Sequence, residues 1–437
     1  MIDVAEVRIW GELAGAVKWN TGRQIASFQY SENFLRKGID LSPIKMPVKN
    51  GNRIYSFPEL RRSGMEQNST FKGLPGLLAD SLPDRYGNQL INMWLAQNGR
   101  LEGSMNPVEQ LCFIGDRGMG ALQFEPAQFQ SDGGVFSVEV ESLVNIAKKA
   151  LLQRNEFGTN LHEDEKKAMN EILKIGTSAG GARPKAVIAF NKETGEIKSG
   201  QAAVPEGFEH WLIKLDGVSD AQFGSSHGFG RVEYAYYLMA QDCGVLMMES
   251  ELLEENGRAH FMTKRFDRDG SNRHHVQTFC SIRHFDYSDL YSFSYEQLFQ
   301  TMRMLKMTYP ETEQMFRRMV FNVMSTNCDD HTKNFSFRLK QGGKWELAPA
   351  YDMCYSYDPG NVWVSQHTLS INGKNSEITK SDLMTVADAN GVGKGEKIIN
   401  EIKETVGNWQ YYAQKAGVPD QLKKSIAETL AVFKFQG

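Results

Sequence analysis

The most restrictive stretch of this chain is the polar run Asn327-Cys328-Asp329-Asp330-His331-Thr332-Lys333-Asn334, set between apolar segments. Upstream, Met319, Val320, Val323 and Met324 recur at helical spacing, and downstream Phe335 and Phe337 alternate as in a strand. The run is therefore a loop between two packed elements. A second acid, Asp352, follows the short extended approach Leu347-Ala348-Pro349-Ala350-Tyr351. Asn, Asp and His most often serve loops as helix caps and turn formers. Here spacing, residue type and the downstream acid agree on chemistry instead. Asp329 stands five residues before Asn334, a separation used in phosphoryl transfer. In that chemistry one carboxylate faces a substrate hydroxyl, while an amide oxygen and another carboxylate clamp Mg²⁺ ions against nucleotide phosphates. Asp329 is thus a candidate base, and Asn334 and Asp352 are candidate metal ligands.

A candidate phosphate cradle lies upstream at Gly176-Thr177-Ser178-Ala179-Gly180-Gly181-Ala182-Arg183-Pro184-Lys185, ahead of the strand-like Ala186–Phe190. Glycines and small hydroxyl residues let backbone N–H groups approach phosphate oxygens, and Arg183 and Lys185 add charge. It is not a Walker A loop, because Lys185 is followed by Ala. Taken alone, such a turn is more often an ordinary hairpin or loop.

Lys214 emerges from the apolar run His210-Trp211-Leu212-Ile213-Lys214-Leu215, and a helical pattern from Gly228 to Cys243 carries Glu233. A lone strand Lys is usually a solvated edge residue. Beside the other two motifs it becomes a candidate ligand of the α- and β-phosphates, paired with Glu233 as protein kinases pair a strand Lys with a helix Glu.

With these residues in view, the chain resembles the HipA-type serine/threonine kinases of bacterial toxin–antitoxin systems. The resemblance runs along nearly the whole length and is most specific at Ser178–Lys185, Lys264-Arg265-Phe266-Asp267-Arg268, Asp329–Ser336 and Ala348-Pro349-Ala350-Tyr351-Asp352. The stretch Gly76–Arg85 looks like that family's accessory region. The resemblance implies an α+β, protein-kinase-like two-lobed fold. A small N-terminal β-rich accessory module would span 1–125, a small lobe with the Gly-rich loop 126–268, and a mainly helical large lobe 269–437.

It implies ATP and Mg²⁺ as cofactors, with Asp329 the base and Asn334 and Asp352 the magnesium ligands. Lys214, Thr177, Ser178, Ala179, Gly180 and Gly181 would contact nucleotide, as would His331 and Lys333, and Phe266 would mark the adenine-contacting hinge. Ser178 would be autophosphorylated. The implied partners are a small helix-turn-helix, HipB-like antitoxin, operator DNA reached mainly through it, and a protein substrate such as an aminoacyl-tRNA synthetase. Asp330 stands where many relatives have Gly, and the reading favours no role for it over solvation or metal assistance. A scaffold acting only as co-repressor and a small-molecule phosphotransferase are the competing readings.

Composition bounds the setting. A chain of 437 residues with 41% hydrophobic content supplies core for two or three domains. Five widely spaced cysteines without a C-x-x-C pair argue for reduced thiols and a cytoplasmic location. No apolar run is long enough to span a membrane, and a net charge of −4 gives no global nucleic-acid field. Arg317-Arg318 reads as a solvated helix face, and the His-bearing stretch Ser271–Asp289 as a mobile loop.

Overall fold

The computed structural model describes residues 2–61, 70–128, 137–152, 176, 183–200, 204–220, 224–225, 227–433 and 435. They divide into two compact units: Met1–His227 with Leu253–Val276, and Gly228–Leu252 with Gln277–Gly437. The expected α+β class is what the structure has.

The first unit holds two five-stranded sheets. One orders its strands Tyr55–Ser56, Ile25–Tyr30, Glu12–Asn20, Val4–Ile9 and Leu122–Glu125. Alternation dictates its faces: Ala5, Val7 and Ile9 are buried while Val4 and Glu6 face out. Ile9 pairs with Glu12 across a two-residue turn in which Trp10 and Gly11 both have positive φ (51° and 79°), the geometry that matches strand twist. Gly15 is obligatory, since a Cβ there would lie 2.2 Å from the Gln29 carbonyl oxygen.

The other sheet runs Ser250–Glu255, Arg258–Lys264, Glu209–Lys214, Lys185–Phe190, Ile197–Ser199, and its edge strand is where the chain re-enters this unit at Leu253. Two helices, Arg85–Gln97 and Pro107–Ile114, start at side-chain caps from Asp84 and Asn106. Their Tyr86, Leu90 and Phe113 share one hydrophobic core with Trp211, Ile213 and Met262 of this sheet. The accessory helices and the strand that carries Lys214 therefore stand on common packing. A truncation such as Leu90→Ala would cost roughly 2–5 kcal/mol there.

The Arg265-Phe266-Asp267-Arg268 motif is the polar bolt of this unit. Asp267 is fully buried and accepts from Arg265 Nη2 (2.7 Å), Arg268 Nη1 (2.6 Å) and the Gly120 amide (2.7 Å). Burial alone would raise its pKa, but the two guanidiniums hold it well below the usual carboxylate range.

The second unit is mainly helical, with Phe229–Asp242, Tyr295–Met304, Tyr309–Met324, Lys380–Ala389, Gly395–Gly407, Trp409–Lys415 and Asp420–Thr429. The apolar stripes expected at Leu298/Met302/Leu305 and Ile398/Ile402/Val406 are buried. Tyr236, fully buried and edge-on to Phe321 and Trp409, donates its hydroxyl to the Ser325 carbonyl at 2.6 Å. That bond pins the end of helix Tyr309–Met324, from which the polar run departs.

Two expectations are corrected. Ser271–Asp289 is structured: Asn272–Arg273 pairs with Arg268–Asp269, His275 is buried with Nε2 3.0 Å from the Leu41 carbonyl, and Thr278 caps helix Phe279–Arg283. A polar sequence misleads here because His275 finds a buried backbone partner rather than water. Arg317-Arg318 is not a solvated face. Arg317 bonds Glu401 at 3.0 Å, and Arg318 is buried, donating to the Ala348 carbonyl at 2.8 Å. Among the described residues, no helix is long and apolar enough to cross a membrane.

Candidate active site

The site in the second unit grows from helix Tyr309–Met324, whose start is set by a Thr308/Glu311 capping box with Pro310 in the first turn. Past the helix, Thr326 takes φ 56°, a strained setting for a β-branched residue, and its hydroxyl accepts the Ala431 amide at 2.7 Å. The chain then runs through Asn327–His331 into a single turn, Thr332–Asn334, and on into strand Ser336–Leu339. That turn is held from three directions. Thr332 donates to the Phe285 carbonyl (2.9 Å), Tyr351 donates to the Lys333 carbonyl (2.7 Å), and the Asn334 amide N–H meets the His331 carbonyl (2.9 Å).

Asn334 Nδ2 donates to the backbone carbonyl of Asp329 at 2.6 Å. With the amide nitrogen engaged, Asn334 Oδ1 is turned away as an acceptor. The Asp329 side chain is 45% exposed, and His331 Nε2 lies 3.7 Å from its Oδ1. His331 and Lys333 both meet Tyr287, by ring contact at 5.1 Å and by ammonium over the ring at 5.0 Å.

Asp352 has φ 52°, so both the polar run and the second acid are flanked or formed by left-handed non-glycine backbone. One cleft is lined by Arg318, Asn322, Asn327, Asp330, Asn334 and Asp352, among others. The structure thus places Asn334 and Asp352 on one cleft.

The cleft is narrow, and among the described residues no group of three or more His, Cys, Asp or Glu is placed to hold a metal ion. The cleft's candidate donors are oxygens, which hard cations such as Mg²⁺ prefer. Two buried atoms in it have no partner among the described residues, Asn327 Oδ1 and Arg318 Nε, one fit for a cation and one for an anion.

In the first unit, Lys214 ends strand Glu209–Lys214 and lies opposite Lys185 in the antiparallel register. Directly opposite residues share a face, so both ammonium groups serve one side of the sheet. Lys214 Nζ also lies 5.8 Å from the Phe261 ring centroid. Phe266 is buried beside the Asp267 cluster. Thr177, Ser178, Ala179, Gly180 and Gly181 lie outside the described residues. Glu233 falls in the second unit and Lys214 in the first.

Four cleft residues were missed in the sequence: Arg318, Asn322, Asn327 and Asp330. A signal existed, because Arg318 and Asn322 sit four apart in the largely apolar second half of that helix, a spacing that places both on one face.

Family models match the chain twice: the HipA N-terminal domain over residues 5–125 and the HipA-like C-terminal domain over 177–410. Among solved structures it is similar to HipA from Shewanella oneidensis MR-1, solved as a toxin–antitoxin complex of HipA, HipB and operator DNA. The TM-score is 0.67 at 17% identity, covering 98% of this chain and 95% of that one. A further match is the Helicobacter pylori proinflammatory kinase CtkA, with TM-score 0.35 and 12% identity, covering 58% of this chain and 90% of that one. No curated protein matches.

Proposed function

The chain belongs to the HipA-like family, and on that premise we propose that it is an ATP- and Mg²⁺-dependent serine/threonine protein kinase, the toxin of a toxin–antitoxin pair. The observation that carries this reading is the Asp329–Asn334 bond at 2.6 Å beside a cleft that also receives Asp352.

Asp329, exposed at the loop, takes the proton of a Ser or Thr hydroxyl as that oxygen forms its bond to the γ-phosphorus and the bridging bond to ADP breaks. Asn334 and Asp352 would hold magnesium, which when bound would neutralise phosphate charge. Lys214 binds the α- and β-phosphates, and the Gly-rich stretch Thr177–Gly181 supplies backbone donors. Phe266 marks the hinge, and His331 and Lys333 face the phosphates. Arg318, buried in the cleft, adds fixed positive potential.

Ser178 is the proposed autophosphorylation site. Its phosphate would add about −1.5 to −2 charges to a loop that receives ATP phosphates, and so would inactivate the enzyme. The partners are a HipB-like antitoxin with operator DNA, in line with the complex of the Shewanella HipA, and a protein substrate of the translation apparatus such as an aminoacyl-tRNA synthetase. The setting is cytoplasmic.

Calorimetry tests the nucleotide reading. ATP affinity that rises with Mg²⁺ in the wild type but not in Asp352→Ala supports it. Affinity indifferent to Mg²⁺ in the wild type contradicts it.

A further inference from the structure

Asp330 shares a cleft with the site residues but points the other way from its neighbour. It is 1% exposed, whereas the Asp329 side chain is 45% exposed. Three donors converge on its carboxylate: the Thr368 amide to Oδ1 (2.7 Å), and the Tyr295 hydroxyl and His367 Nδ1 to Oδ2 (both 2.9 Å). Since Asp330 is an acceptor there, His367 carries a proton on Nδ1. The chain of bonds continues. Asn322 Nδ2 donates to the Tyr295 oxygen (3.0 Å), and Asn327 Nδ2 donates to Asn322 Oδ1 (3.0 Å) and, at 3.5 Å, reaches towards the Asp352 carbonyl.

The elements that supply these groups are themselves tied. Leu369–Ser370 pairs in parallel with Phe293–Ser294, and Ser294 caps the helix that Tyr295 begins. The His367 amide donates to the Asn375 carbonyl at 2.9 Å, and Asn375 Nδ2 donates to the His367 carbonyl at 2.8 Å.

We infer that Asp330 is a positioning residue: its buried carboxylate locks the loop bearing Asp329 and Asn334 to the His367–Thr368 segment and, through Tyr295, Asn322 and Asn327, to the backbone of Asp352. With Asp330 held inward by three donors, the preceding Asp329 is aimed outward. The same lattice reaches the acid proposed to hold metal, so the base and the metal-binding carboxylate are set by one network rather than two. The satisfied heart of this network is the Asp330 carboxylate with its three donors, and buried polar groups whose bonds are made rigidify their surroundings. The inference deepens the phosphotransfer reading and rests on it.

The test measures steady-state phosphate transfer from Mg-ATP and thermal midpoints, below the melting range, for five proteins: wild type, Asp330→Asn, Tyr295→Phe, His367→Leu and His367→Asn. Tyr295→Phe keeps the buried ring and removes only the hydroxyl that joins the two halves. His367→Asn keeps an N–H near the position of Nδ1, and His367→Leu does not. The expected result is a kcat lowered tenfold or more in Tyr295→Phe and His367→Leu, KM for ATP within about twofold of wild type, and partial rescue in His367→Asn. A role in stability alone would lower the midpoint and leave kcat per folded molecule unchanged, and that outcome overturns the inference. If Asp330→Asn does not fold, the Tyr295 and His367 variants decide. An inactive wild type overturns the phosphotransfer reading and this inference with it, whereas an active wild type with unaffected variants overturns this inference alone.

Discussion

The side-chain amide of Asn334 donates to the backbone carbonyl of Asp329 at 2.6 Å, closing the catalytic-loop candidate on itself. On the proposed reading one residue does two jobs: its nitrogen holds the backbone of the proposed base, and its oxygen is the atom proposed to meet a cation.

Asn334→Ala removes both. Transfer activity is expected to fall by roughly two orders of magnitude or more, in line with loss of a positioned catalytic group. Global stability should fall by only about 0.5–1.5 kcal/mol, the net worth of one hydrogen bond. Single-turnover kinetics and urea melts check both numbers. Activity within tenfold of wild type would remove Asn334 from the site.

Asp352 at φ 52° offers a separation of strain from chemistry. Asp352→Gly should keep the fold, because glycine accepts left-handed backbone, while Asp352→Val should be less stable than Asp352→Gly by about 1 kcal/mol or more. Both should be inactive. Equal thermal midpoints for the two variants would show that this backbone setting does not resist side chains.

Acid should weaken the first unit in two windows. Burial, aided by Arg265 and Arg268, pushes His210 down to about 4, and burial pushes His275 down to about 4. Both are therefore neutral in the fold but charge in the unfolded chain near pH 6.5. Their contribution is complete above that value and is lost as pH falls toward 4, by up to about 1.4 kcal/mol per pH unit for each histidine. Asp267, whose pKa is depressed, contributes above its unfolded value near 3.9 and loses that contribution only below it. Denaturation midpoints at pH 7, 6 and 5 should decline in the wild type and decline less in His275→Gln. Parallel slopes would contradict the assignment for His275.

Asp267→Ala leaves Arg265 and Arg268 buried without their shared carboxylate. Removing one partner of such a pair costs roughly 3–5 kcal/mol. The variant should be poorly folded at ambient temperature by circular dichroism, and a midpoint within a few degrees of wild type would show that water reaches the cluster.

Local features were the legible ones. The Asp329–Asn334 spacing is set within one turn of chain, so residue type and separation sufficed to find it. The strands at Lys185–Phe190 and Glu209–Lys214 and the end of helix Tyr309–Met324 announced themselves by apolar runs and apolar period. What stayed hidden depends on distant partners. Asp330 looked idle because its donors, Tyr295 and His367, lie 35 and 37 residues away in sequence. Arg318 looked solvated because nothing local shows that its guanidinium meets the Ala348 carbonyl. His275 looked mobile because its acceptor, the Leu41 carbonyl, lies 234 residues away.

The most direct test of the central claim is intact-mass and peptide mass spectrometry of purified, unmodified chain after incubation with Mg-ATP, beside Asp329→Gln treated identically. The account predicts a phosphate on Ser178 in the wild type and none in the variant. No phosphate in either protein while ATP still binds, or equal phosphate in both, would contradict it.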